Sequence, residues 1–404
     1  MKQCIACGRK LPDERLFELC DAPASAQDIP DANQIDSDRG VRLDLYQCEG
    51  CGLVQFDCAP VSYFKDVIRA GGFSTTMTQL RRRQYRHLIE TYHLEGKKFL
   101  EVGCGRGEFL KVLTEFPVEA YGIEHKTDLV ALAQEAGLHV WQDFAGNPEQ
   151  VLTDGTVRGP FDVFLSFNFL EHQPEPGLML QTIYRNLKED GMGLVTVPAL
   201  EYILEQGSYY ELIRDHIAYY SVGSLRALLN RYGFDVLEEE MVNRDTIAMI
   251  VKKKPETAGK PAAAGGTEAE FSGVCPVDAA PLWKGYNRVR DEMDSLLEGL
   301  HTEGKKLAIW GASHQGFTLA ATLGLAGRVE YIIDSAPFKQ GRYAPASHLP
   351  IVAPDYYFEV PVDAVLIVAP GYTDEIAGII RTRFGDGVRI LTLRTDHIEE
   401  LSNG

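Results

Sequence analysis

Twice along this chain an apolar run ends in a glycine-containing turn and passes directly into an amphipathic stretch. Lys98-Phe99-Leu100-Glu101-Val102 leads through Gly103, Gly105 and Gly107 into Phe109-Leu110-Lys111-Val112-Leu113, and Leu307-Ala308-Ile309-Trp310 leads through Gly311 toward Gly316. A strand that feeds a helix through a tight turn opens a β–α–β unit. Two such starts, each followed by further alternating runs, restrict the chain to helices covering two mostly parallel sheets. The 404 residues allow two or three domains. Composition divides them into a cysteine-rich head at 1–66, a first α/β domain at 67–254, an Ala/Gly/Pro/Lys-rich linker at 255–275 and a second α/β domain at 276–404. In the first α/β domain, the stretch from Asp235 to Lys254 reads as a closing hairpin.

Acidic side chains outnumber basic ones 58 to 40, for a formal charge of -18. That balance disfavours a nucleic-acid or anionic-membrane partner, although a few local donors can still hold an anionic small molecule. No run reaches the roughly 18 apolar residues of a membrane span. The N-terminal stretch lacks the apolar segment of a secretory signal. The expectation is therefore a cytoplasmic protein, a monomer, acting on a small molecule.

In such a compartment eight cysteines need a reading other than disulfides. Cys4 and Cys7 form one CxxC pair, and Cys48 and Cys51 another, each followed by a glycine. Two such pairs complete a closed tetrahedral site for structural zinc, and in a region with a thin core the metal supplies folding free energy. Cys20 and Cys58 lack this spacing and read as free thiols.

The first glycine turn can bring backbone close to a ligand at a helix N-terminus, and Glu124, ending the next strand, can take both hydroxyls of a ribose. A nicotinamide dinucleotide and S-adenosylmethionine both satisfy this much. Three details favour S-adenosylmethionine. Glu101 precedes the glycines where a carboxylate would repel a pyrophosphate. The spacing is GxGxG, without the third glycine of the dinucleotide pattern. Asp143 follows the third strand where an acceptor for an adenine amine belongs. The constellation Glu101, Gly103, Cys104, Gly105, Gly107, Glu124, Asp143 and Asn168 then resembles that of class I methyltransferases.

On the acceptor side, His172 ends the fourth strand, at the edge of the sheet where open α/β folds place ligands. The run Tyr209 to Ser221 contains Arg214, Asp215 and His216, an Asp-His pair that can orient and tune a general base. In the second glycine turn Ser313 replaces the glycine that would admit a pyrophosphate, so this turn is not a redox site.

Over nearly the whole chain these features resemble the nucleotide-sugar C-methyltransferases of deoxysugar biosynthesis. The most specific blocks are Trp310 to Leu319, Ile333 to Arg342 and Leu349-Pro350-Ile351, close to the family pattern WGAxxKGxTL, VVDxNPxKQG and IPI. The resemblance implies a zinc-binding head, a class I methyltransferase core with a Rossmann-like fold, and a C-terminal Rossmann-like domain that walls the acceptor site. It implies methylation of the carbon beside the ketone of a thymidine-diphosphate ketosugar, with His216 as base and Asp215 beside it. The family's tyrosine falls on Ile213, its first histidine on Arg214 and its lysine on Gln315. His172, Arg214 or a nearby tyrosine is then expected to steady the enolate oxygen, and Ser313, His314, Lys339 and Tyr219 to contact the substrate. The runner-up is methylation of an oxygen, nitrogen or carbon of a non-sugar metabolite, in which Arg214 suits an acidic acceptor. A non-catalytic binding protein is a further alternative, against which the intact glycine turn, Glu124 and Asp143 speak.

Overall fold

The computed structural model describes residues 2–66, 75–255 and 276–401. The expected linker falls almost entirely outside them. Three sheets organise the chain. The head contributes β1 (Phe17–Ala22), β2 (Val41–Gln47) and β3 (Val54–Phe56), an antiparallel meander.

The middle domain begins with α1 (Thr75–Tyr92) and continues through β4 (Lys98–Val102), α2 (Glu108–Leu113), β5 (Glu119–Glu124), α3 (Thr127–Glu135), β6 (Val140–Gln142), β7 (Phe161–Phe167), α4 (Pro176–Arg185), β8 (Leu187–Pro198) and α5 (Leu200–Gln206). A short strand, β9 (Ala218–Tyr219), precedes α6 (Val222–Arg231), β10 (Phe234–Val242) and β11 (Thr246–Lys253). The seven-stranded sheet runs β10-β11-β8-β7-β4-β5-β6, parallel except for β11, which is antiparallel to both neighbours. Its centre is apolar on both faces: β7, Phe-Asp-Val-Phe-Leu-Ser-Phe, is buried at every position but Asp162, as a strand with both faces covered requires. The expected hairpin is β10–β11.

The C-terminal domain opens with α7 (Ala280–Thr302) and β12 (Leu307–Trp310), followed by α8 (His314–Thr322), β13 (Ile332–Ile333), β14 (Ile351–Val352), β15 (Ala364–Ile367), α9 (Thr373–Phe384), β16 (Arg389–Leu393) and β17 (Ile398–Glu400). Its sheet order, β14-β13-β12-β15-β16-β17, reverses direction between β12 and β15 and is parallel apart from β17. This is the doubly wound arrangement.

The three domains share cores. Instead of joining the central sheet, β9 pairs antiparallel with β3 and becomes the head's fourth strand. Phe17, Leu45 and Phe56 of the head pack in one cluster with Tyr209 and Leu212 of the middle domain and Val289 and Phe317 of the C-terminal domain. Phe17 meets Trp283 edge-on at 4.6 Å, and the Trp283 indole donates to the Leu16 carbonyl at 3.0 Å. The four knuckle cysteines belong to a different cluster, with Ile217, Tyr220 and Leu225. The head's sheet therefore takes a strand from well beyond residue 66.

Candidate active site

Each CxxC turn is closed by backbone hydrogen bonds: Gly8 N–H donates to the Cys4 carbonyl and Gly52 N–H to that of Cys48, both at 2.8 Å. The φ values of +76° and +71° at these glycines are ones that a residue with a side chain seldom adopts. The turns face each other, with Cys4 Sγ 3.5 Å from Cys51 Sγ and Cys7 Sγ 3.5 Å from Cys48 Sγ. All four thiols are buried. A four-sulfur tetrahedron around an ion bonded at about 2.3 Å needs sulfurs roughly 3.8 Å apart. The set can hold a four-coordinate metal.

After β4 the chain turns through Gly103, Gly105 and Gly107, all at positive φ. The N–H groups of Gly103 and Cys104 bond the Ile123 carbonyl, which leaves Gly105 directed at Glu124. Glu124, 5% exposed, accepts from Gly105 N–H at 2.9 Å through one carboxylate oxygen and from Lys126 N–H at 3.0 Å through the other. Asp143 follows β6; it accepts from Phe144 N–H at 2.8 Å and from the Gln150 amide. Asp143, Phe144, His125 and Met179 line a cavity of about 490 Å³ that Phe64 and Lys65 of the head also wall. Asn168, at φ +47° after β7, accepts from the Thr196 hydroxyl at 2.9 Å. Glu101 is fully buried in β4.

Two of the expected cofactor contacts take a different form. Cys104 is fully buried, and its sulfur packs so close to Gly122 that a β-carbon there would lie 2.7 Å away. The Cys104 N–H goes to the Ile123 carbonyl and its own carbonyl accepts from Gly107 N–H, so it shapes the turn. Gly107 is needed by packing, because a β-carbon would collide with Leu138.

The acceptor loop brings Glu171, His172 and His216 together, with one donor atom of each within 4.8 Å of the others. The two imidazole rings meet edge-on at 4.7 Å. His172 Nδ1 lies 2.7 Å from the carbonyl oxygen of Asp215. A carbonyl only accepts, so Nδ1 carries the hydrogen and Nε2 the lone pair. Burial pulls His172 down to about 4, against the hydrogen bond to Asp215, which raises it. Burial also pulls His216 well below its ordinary value, followed by the charges of His172 and His314. Both rings are therefore neutral near pH 7. The His216 ring makes no hydrogen bond among the described residues.

Four expectations are corrected here. The Asp215 carboxylate does not orient His216; it accepts from the Tyr63 hydroxyl at 2.6 Å and from Ala26 N–H at 2.9 Å. Burial pushes this carboxyl up, while the Tyr63 and Ala26 bonds oppose the shift. Arg214 is turned toward the head: its guanidinium donates to the carbonyls of Ala24 and Ala59, clamping the loop to the head. His172 in its neutral form has spent its one N–H on Asp215 and has none left for an enolate oxygen. Tyr219, 2% exposed, accepts from Ile213 N–H at 2.7 Å and donates to the Ile213 carbonyl at 3.1 Å, so it staples the loop and does not face a substrate.

The C-terminal glycine turn is similarly occupied. Ser313 caps α8 by accepting from Gly316 N–H. Lys339 donates to the Ala312 carbonyl at 2.8 Å and pairs with Asp334 at 3.2 Å. Both side chains are thus engaged within their own turn, although the Ser313 hydroxyl keeps its O–H and the Lys339 ammonium one further N–H to donate. His314 and Gln315 both reach Glu211, at 3.1 and 2.5 Å, joining α8 to the acceptor loop. Glu211 and Tyr63 escaped sequence reasoning because their partners lie 103 and 152 residues away, with no local pattern to announce them.

Comparison with known proteins identifies two domains of the chain. A methyltransferase domain family model matches residues 77–239, and a C-methyltransferase C-terminal domain model matches 281–392. The chain is a class I S-adenosylmethionine-dependent methyltransferase. Its C-terminal part matches the family of C-methyltransferase C-terminal domains. It is 24% identical over 344 residues to C-methyltransferase NovU of Streptomyces niveus, covering 83% of this chain and 81% of that protein. It is 35% identical over 105 residues to a ubiquinone biosynthesis O-methyltransferase of Caulobacter vibrioides, covering 25% of this chain and 40% of that one. The PH0226 protein of Pyrococcus horikoshii aligns with 48% of this chain and 95% of its own, at 17% identity and a TM-score of 0.37. Among the described residues no helix is long and apolar enough to cross a membrane.

Proposed function

We propose that the enzyme methylates the carbon α to the ketone of a nucleotide-activated sugar, of the thymidine-diphosphate ketosugar type, by way of an enolate. The observation that carries this reading is the state of His216. It is neutral, it makes no protein hydrogen bond among the described residues, and it is held by a loop whose Arg214, Asp215 and Tyr219 are all committed to fixing its position. A ring so placed can take a proton. The carboxylate of Glu171 lies near enough to compensate the imidazolium that forms, since an opposite charge within a few ångströms favours the charged state.

The cofactor, when bound, supplies an electrophilic methyl group on a sulfonium. The chain's own task is to make the acceptor carbon nucleophilic, which removal of the α-proton by His216 accomplishes. In this reading Glu124, steadied by Gly105 N–H, holds the cofactor's ribose, and Asp143 and Phe144 its adenine. The head supplies Phe64 and Lys65 to close that cavity, and we infer that its four thiolates hold a structural zinc ion. The non-sugar alternative rests on Ile213 standing where the family has a tyrosine; Arg214, its expected contact to an acidic acceptor, donates to the carbonyls of Ala24 and Ala59.

The deciding experiment is deuterium wash-in at the α-carbon of a thymidine-diphosphate 4-ketosugar in heavy water, with S-adenosylhomocysteine bound so that no methyl moves. Exchange that disappears in His216→Ala supports the reading. Absence of exchange in the native enzyme, with binding of both ligands confirmed, overturns it, because O- or N-methylation requires no carbon acid.

A further inference from the structure

We propose that Asp66 governs the rate at which the cofactor enters and leaves the enzyme. The head's turn at 63–66 is a clasp across the cofactor cavity, and the contact between Asp66 and His125 is its catch. This rests on the cavity beside Asp143 and Phe144 being the adenine end of the cofactor site.

The turn touches both halves of the active site. Its first residue, Tyr63, holds the Asp215 carboxylate at 2.6 Å. Asp66 N–H donates to the Tyr63 carbonyl at 2.7 Å, which closes the turn on itself. The residues between them wall the cavity. Phe64 meets Phe144 edge-on at 6.2 Å. The Lys65 ammonium stands 4.7 Å from the centre of the same ring, within the range in which an aromatic face attracts a cation. That ammonium makes no hydrogen bond or ion pair among the described residues, and its contacts are with the rings of Phe64 and Phe144.

The catch ties this turn to the strand that carries the expected ribose contact. The Asp66 carboxylate accepts from His125 Nδ1–H at 2.6 Å. His125 lines the cavity, lies edge-on to Phe144 at 5.9 Å and directly follows Glu124. Its carbonyl accepts from the Gln142 amide at 3.0 Å, so this side of the catch is fixed to β5 and β6. Side-chain exposures of 34% for Asp66 and 39% for His125 admit water to the bond. A contact so exposed is worth a factor of about five at most in an equilibrium, so it opens often and reseals. That suits a site that must release S-adenosylhomocysteine once per turnover. Because the catch joins protein to protein, loosening it favours the open clasp with and without cofactor alike. Entry and exit should both quicken, and the equilibrium affinity should hold. A residue that merely contacted the cofactor would act on exit.

The test uses the full chain and radiolabelled S-adenosylhomocysteine, with entry timed by rapid filtration and exit by chase with unlabelled compound. In Asp66→Ala both rates are expected to rise about threefold to fivefold, with the equilibrium affinity within twofold of native. Asp66→Glu, which keeps the carboxylate, should recover at least half of the change. In a His125→Ala background, Asp66→Ala should alter neither rate, because the catch is already gone. Unchanged rates in Asp66→Ala overturn the clasp. So does faster exit with unchanged entry, and so does an effect of full size in the His125→Ala background. Asp143→Ala separates these failures from a misplaced cavity. With binding weakened tenfold or more in that variant, they fall on the clasp alone; native affinity there removes the cavity as the cofactor's site, and the clasp with it.

Discussion

The Tyr63 hydroxyl lies 2.6 Å from the Asp215 carboxylate, whose own backbone carbonyl receives His172 Nδ1 at 2.7 Å. One residue of the acceptor loop thus joins a side chain of the head to an imidazole of the central domain. The head's contribution to the active site is positional, since the tautomer of His172 depends on a peptide that Tyr63 and Ala26 hold still.

Tyr63→Phe removes one of the two donors to a buried carboxylate, and groups of that kind cost about 1–3 kcal/mol when left short of a partner. Turnover is expected to fall about tenfold while S-adenosylhomocysteine affinity, measured by calorimetry, stays within twofold. Unchanged turnover would show that the loop keeps its geometry without the head's help.

Glu124→Ala removes the acceptor for Gly105 and Lys126 N–H and the expected ribose contact. Loss of charge-assisted hydrogen bonds should weaken S-adenosylhomocysteine binding by about 1–3 kcal/mol. Titration showing native affinity would remove Glu124 from the cofactor site.

Stripping the cysteine site with a chelator, or Cys4→Ser, should lower the thermal midpoint, because metal held only by the folded state stabilises that state. Methyl transfer is expected to fall along with it, since Ile217 and Tyr220 pack in the same core as the four cysteines. Native activity in a protein shown to contain no metal would count against both statements.

A pH effect is expected at the rim of the central sheet. The His139 side chain, 2.7 Å away, and the backbone N–H of Val157 hold the Asp154 carboxyl well below the usual carboxylate range. In acid the unfolded chain takes up this proton first, so the contribution is present above about pH 4 and is lost as pH falls further. The native protein should melt higher than Asp154→Asn at pH 7, and the gap should close below pH 4. A gap that stays constant between pH 7 and 3 would show the contact to be inert.

What could be read from the chain was what is encoded locally. The CxxC turns, the glycine turn after β4 and the alternation of buried strands with helices each depend on residues a few positions apart, and each is found where its spacing implies. The acceptor loop was opaque for the opposite reason. Adjacency of Asp215 and His216 suggested a working pair, but consecutive residues in an irregular loop point in different directions, and the carboxylate went to a tyrosine of another domain. Arg214 looked like a free cation in sequence because the carbonyls of Ala24 and Ala59 have no signature. Lys339 was likewise drawn off, by Asp334 within its own loop.

The borrowed strand has a consequence for how the protein is made. Ala218–Tyr219 is translated roughly 160 residues after the β3 edge it must cover. At synthesis rates of about 5–20 residues per second, that edge waits on the order of ten seconds or more for its partner. Throughout that interval the nascent chain carries an apolar strand, Val54–Phe56, with one side bare, and bare edges recruit strands from other molecules. The same pairing that locks the acceptor loop in the finished enzyme therefore makes the growing polypeptide a client for whatever shields nascent chains at the ribosome.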